Sequence, residues 1–77
     1  KLNNMDAEIL EFKVKASARV IGQAIKDLDF PKTATIGGVI RNGVGVIALG
    51  DFVIAEDDLV LVCCLPQSIS RVEQLFL

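Results

Sequence analysis

The sequence contains no histidine, no tryptophan and no tyrosine. Without histidine there is no Ser-His-Asp or Cys-His arrangement, and imidazole ligation of a metal is excluded. Lysine and arginine are few and form no cluster: Lys13, Lys15 and Arg19 are spread along one segment. Sequence-independent nucleic-acid binding needs a basic stripe, usually with stacking aromatics, and both are missing. No nucleic-acid partner is expected. A basic amphipathic helix for a membrane surface is missing too. The longest apolar run, near Leu59 to Leu65, is far short of the roughly 20 residues needed to span a bilayer, so no direct membrane insertion is expected. No signal peptide precedes the fold, since Lys1-Leu2-Asn3-Asn4 is polar. The chain reads as cytoplasmic and, starting on Lys1, as a fragment of something longer.

Cysteine is scarce, and its placement is uninformative for chemistry. Cys63 and Cys64 are adjacent. In a strand they point to opposite faces, and a bridge between neighbours is strained. They read as two small hydrophobes of a buried strand, with a redox role as the rival.

What is present is apolar. Hydrophobic residues make up 52% of a 77-residue chain whose net charge is −2. That length holds one domain, and so apolar a small domain often completes its burial against a partner. Two runs rich in Val and Ile flank Asn42-Gly43, the strongest short-range hairpin signal, because both turn positions need positive φ. The turn pairs Arg41 with Val44, Ile40 with Gly45, Val39 with Val46, Gly38 with Ile47 and Ile36 with Leu49. One face then carries Ile36, Ile40, Ile47 and Leu49, and the other Val39, Arg41, Val44 and Val46. Both are apolar apart from the tip, so both are expected to be covered, one by the domain and one by a partner or helix.

Residues 1–6 read as a linker and residues 7–77 as one domain. Leu10, Phe12 and Val14 alternate with charged residues, as in a half-buried strand. Ser17 is a plausible N-cap for a helix of two to three turns carrying Val20, Ile21, Ala24, Ile25 and Leu28, stopped before Pro31. Leu59 to Cys64 reads as a central strand buried on both faces. Pro66 starts a second helix with Ile69, Val72, Leu75 and Phe76. The fold class is α+β, a small sandwich in the order β-α-β-β-β-α, mostly antiparallel sheet packed with two helices.

Three groups carry candidate chemistry. The acidic turn Glu56-Asp57-Asp58, with Asp51, either binds a hard cation or is a solvated turn; no metal site is assigned. Gly37-Gly38 marks a bulge, or a place where a ligand lies flat on the strand. Arg41 beside Asn42 suits phosphate or carboxylate recognition, or is a solvent-pointing tip residue. On this reading Arg41→Ala leaves the fold intact, and Asp in place of Ile40 or Val62 unfolds it. No nucleophile–base pair can be assembled, so an enzyme is not expected.

Asp27-Leu28-Asp29-Phe30-Pro31-Lys32, Ile36 to Gly43, Gly50-Asp51 and Asp57-Asp58-Leu59-Val60-Leu61-Val62 together resemble the C-terminal regulatory domain of TrkA-type proteins of the RCK (regulator of potassium conductance) class. The resemblance covers about Ala7 to Phe76. Where the family usually has Gly-Asp before the last strand, this chain has Asp57-Asp58, which alters the expected turn. The resemblance implies a dimerising domain that follows a Rossmann-type domain binding NAD or ATP. It implies a place in rings docked on the cytoplasmic face of a potassium transporter membrane subunit, gating potassium uptake. In some relatives a regulator, including cyclic di-AMP, binds at the dimer interface. Ile40, Arg41 and Asn42 match those ligand positions, and Val39, Val44 and Val46 are the candidates for the homodimer contact. A regulatory appendage of a cation/proton antiporter and a purely structural dimerisation module are the rival readings.

Overall fold

In a computed structural model, which describes residues 7–77, four strands form one antiparallel sheet. The expected linker, residues 1–6, lies outside the described residues. The strands are β1 (Glu8–Lys13), β2 (Ala34–Arg41), β3 (Val44–Val46) and β4 (Leu59–Cys64), in the spatial order β1-β4-β2-β3. One α-helix, α1 (Ile69–Phe76), follows β4 through a 3-10 turn that starts on Pro66. The α+β class and the antiparallel sheet are as the sequence predicts.

Registers decide the two faces. Phe12 and Val39 flank Val60, and Leu10 and Ile36 flank Val62. This inner face holds the core, where Val39, Val60, Val62 and Cys64 meet Val72 and Phe76 of α1. Phe76 stacks on Phe12 with ring centroids 4.4 Å apart. The helix therefore forms for the reason its apolar spacing gives: it lays one stripe on the sheet.

The segment read as the first helix is not an α-helix. It is a chain of tight turns followed by a short 3-10 turn at Ile25–Asp27. Gly22 sits at φ +81°, and Ala24 is extended and bridges Val53. Ile25 N–H donates to Phe52 O at 2.9 Å, and Gly22 N–H to Ile54 O at 3.0 Å. Backbone bonds to residues 50–54 thus replace intrahelical ones. Val20 and Ala18 are still buried, so the apolar positions reach the core by another conformation.

The hairpin turn is as expected, with Asn42 at φ 53° and Gly43 at φ 78°. The three pairs nearest the tip form as predicted, but β3 ends at Val46. Ile47 and Leu49 leave the sheet and are exposed. The register of β2 on β4 slips between Ile36 and Gly38. Gly37 is the extra residue, and a Cβ added there would lie 3.4 Å from Cys63 Sγ. This bulge turns Ile36 inward beside Val39 and away from Ile40, which corrects the predicted face assignment. Val39 is 1% exposed, in the chain's own core, and is not available as a dimer contact. Val44 is exposed and Val46 half-buried at the sheet edge.

The outer face has no covering layer among the described residues. Ile40, Leu59, Leu61 and Cys63 are half-buried there, and Ile9 is exposed. The strand read as buried on both faces is covered on one. Cys63 and Cys64 do point to opposite faces; both are free, and burial pushes the Cys64 thiol above its ordinary value.

Candidate functional site

The end of the hairpin and the turn before β4 meet across the sheet. Ile40 pairs with Leu59, so the next step of an antiparallel ladder sets Arg41 opposite Asp58. Arg41 Nε donates to Asp58 Oδ1 at 2.8 Å, and Nη2 donates to Oδ2 at 2.7 Å. Nη2 also donates to Val53 O at 3.0 Å, and the guanidinium lies 4.5 Å from the Phe52 ring centre. Ala55 N–H donates to Asp58 Oδ2 at 2.9 Å. The Asp58 side chain is 1% exposed and that of Arg41 37%. A forked guanidinium satisfies both oxygens of a carboxylate, which is what a buried charge requires.

Arg41 is therefore not a solvent-pointing tip residue. It is the partner of a buried acid, so Arg41→Ala is now expected to weaken the fold instead of leaving it intact. The Arg41 hydrogen bonds hold the Asp58 carboxyl below the usual carboxylate range, against the opposing effect of burial, with Ala55 N–H assisting. The same contact raises Arg41. A depressed folded-state acid contributes stability that is fully present above the unfolded value of about 4 and is lost as pH falls through the folded value. Urea unfolding measured from pH 7 downward should show stability falling below about pH 4. Asp58→Asn should be less stable at pH 7 and should flatten that acid limb. An unchanged limb would remove Asp58 as its source.

Alternation sends the neighbours of this pair to the outer face. There Ile40, Asn42, Gly43, Asp57, Leu59 and Lys13 line a depression of about 360 Å³. Of the three predicted ligand residues, Ile40 and Asn42 come together here; Arg41 stands behind them, on the inner face. Asp57 takes φ 71°, the left-handed conformation that suits glycine. The Asp57-Asp58 turn therefore keeps the backbone a glycine would give. A second, more apolar depression of about 340 Å³ lies near Thr35, Cys63 and Leu65. Among the described residues no group of three or more Asp, Glu or Cys is placed to hold a metal. Asp58, the buried member of the acidic turn, is already paired. The contacts of Arg41 with Asp58, Phe52 and Val53 escaped the sequence reading, because the pairing of β2 with β4 is long-range.

Comparison with known proteins agrees with this architecture. The TrkA-C domain profile matches residues 9–77. The chain belongs to the TrkA-C domain family. Its relatives include the Trk system potassium uptake protein TrkA of Azorhizobium caulinodans, 38% identical over 69 residues covering 90% of this chain. Another is the Trk system potassium uptake protein TrkA homolog 1 of Methanosarcina mazei, 34% identical over 70 residues covering 91% of this chain. The chain spans 15% and 16% of the lengths of these two relatives. As a TrkA-C domain it contributes one sheet, one helix and an open outer face. Among the described residues no helix is long and apolar enough to cross a membrane.

Proposed function

We propose that this TrkA-C domain is a non-enzymatic, homodimerising sensor of a small regulator within a Trk-type potassium uptake protein. The observation that carries the reading is the open outer face, apolar at Ile40, Leu59 and Leu61, with a depression at its edge, in a chain matched along its length by TrkA-C domains. A second copy covers that face, and the regulator occupies the depression. Lys13 supplies a cation for an anionic group, Asn42 and Asp57 supply polar contacts, and Ile40 and Leu59 supply an apolar floor for a flat ring. Cyclic di-AMP combines those features and is the probe of choice. In the longer protein a Rossmann-type domain binding NAD or ATP precedes the sensor. The assembly sits in the cytoplasm against the membrane subunit of the transporter. A regulator that favours one dimer arrangement shifts the ring's population and through it the pore.

Light scattering combined with calorimetry tests this. A dimer is expected, with saturable heat on adding cyclic di-AMP. Leu61→Glu, on the outer face, should give a folded monomer. A monomeric parent protein sinks the dimer. A dimer without heat at high micromolar ligand leaves a structural dimerisation module in place of a cyclic di-AMP sensor.

A further inference from the structure

The ion pair and the depression stand back to back. Ile40 and Asn42 flank Arg41, and Asp57 and Leu59 flank Asp58, so each inner-face partner has chain neighbours in the outer wall. Backbone pairing of β2 with β4 stops at Ile40 and Leu59. On its other side the acidic turn stays tied to the end of β1: Asp57 N–H donates to Val14 O, and Val14 N–H donates to Asp58 O, both at 2.8 Å. Toward the hairpin, the side-chain bonds of Arg41 to Asp58 take over where the ladder ends. They set how far Asn42-Gly43 stands from Asp57. The inner end of the same pair reaches Val53 O and Ala55 N–H. Val53 is exposed and adjoins a stretch, Val44 to Val53, that also exposes Val44, Ile47 and Leu49.

We infer that the Arg41–Asp58 pair couples occupancy of the outer depression to the backbone of residues 53–55 and so to the apolar edge beyond β3. The identity of the occupant rests on the sensing reading above; the coupling itself does not. Hydrogen bonds of 2.7–2.8 Å lose most of their strength when stretched by about 1 Å, so a small displacement of the tip breaks the fork. Loss of the fork then frees Val53 O and leaves the Asp58 carboxylate held by Ala55 N–H alone, so both backbone groups change their surroundings. A wedge in the depression and a change at residues 53–55 thus go together. The exposed apolar edge is the surface whose presentation changes.

Nuclear magnetic resonance on the 77-residue chain tests the coupling without any ligand. Leu59→Ala and, as a milder variant, Ile40→Ala alter the floor of the depression and leave Arg41 and Asp58 in place. The readout is exchange of the Arg41 Nε–H divided by that of the Val62 amide, which reports global opening. At least a tenfold rise in the ratio is expected in either variant that folds. Adding cyclic di-AMP to the parent protein should shift the Arg41 Nε–H and Ala55 resonances together. A ratio that stays at the parent value in both variants overturns the coupling, even where cyclic di-AMP binds. A raised ratio with no response to cyclic di-AMP upholds the coupling and removes that ligand.

Discussion

Arg41→Ala should destabilise the domain by about 3 kcal/mol, the largest effect of any single truncation at its surface. The substitution removes a half-exposed side chain and leaves the Asp58 carboxylate, 1% exposed, with Ala55 N–H as its remaining donor. A buried carboxylate that loses its cation is costly because water cannot replace the lost bonds. The guanidinium is partly solvated, which places the loss at the lower end of the range for broken buried pairs. Small domains have total stabilities near about 5 kcal/mol, so most of the margin disappears. Asp58→Ala should cost less, because an unpaired Arg41 can turn to solvent. Urea unfolding of both variants checks the asymmetry. Equal losses would mean that Asp58 is accessible to water, and no loss for Arg41→Ala would mean that the fork does not form in solution.

Val62→Asp should leave the chain unfolded at neutral pH. Val62 is fully buried in the central strand, between Leu10 of β1 and Ile36 of β2. Apolar burial worth about 1.5–3 kcal/mol is lost, and an unpaired carboxylate or its protonated form is placed in a core with no donor for it. The sum exceeds what a domain of this size holds in reserve. Ile40→Asp is the matched control. Ile40 lies on the outer face and is half-buried, so its aspartate reaches water and the monomer keeps its fold. This departs from the expectation that both substitutions unfold the chain. Far-ultraviolet circular dichroism distinguishes them. If Ile40→Asp unfolds the chain as completely as Val62→Asp, the assignment of inner and outer faces is wrong.

Much of the architecture was legible because it depends on short-range pattern. Asn42-Gly43 dictates its own turn, since few residue pairs tolerate two positive φ values in succession. The alternation in β1 and the helical spacing of Ile69, Val72 and Phe76 likewise announce their elements. The segment from Val20 to Leu28 misled for an equally specific reason. Its apolar spacing is helical, yet Gly22 adopts a positive φ and the backbone pairs with residues 50–54. Tertiary hydrogen bonds there outweigh a helix propensity that glycine already weakens.

The sequence by itself determined the class, the hairpin with its Arg41-Asn42-Gly43 tip and the terminal helix. Those follow from local backbone preferences and from period. Only the tertiary structure decided what the tip does. One extra residue at Gly37 turned Ile36 toward the core and left Ile40 facing out. The long-range register of β2 on β4 then placed Arg41 against Asp58, with Asn42 and Ile40 behind it. A side chain that reads as a ligand anchor became the partner of a buried acid, because a buried charge must be paired and Arg41 is the cation opposite it.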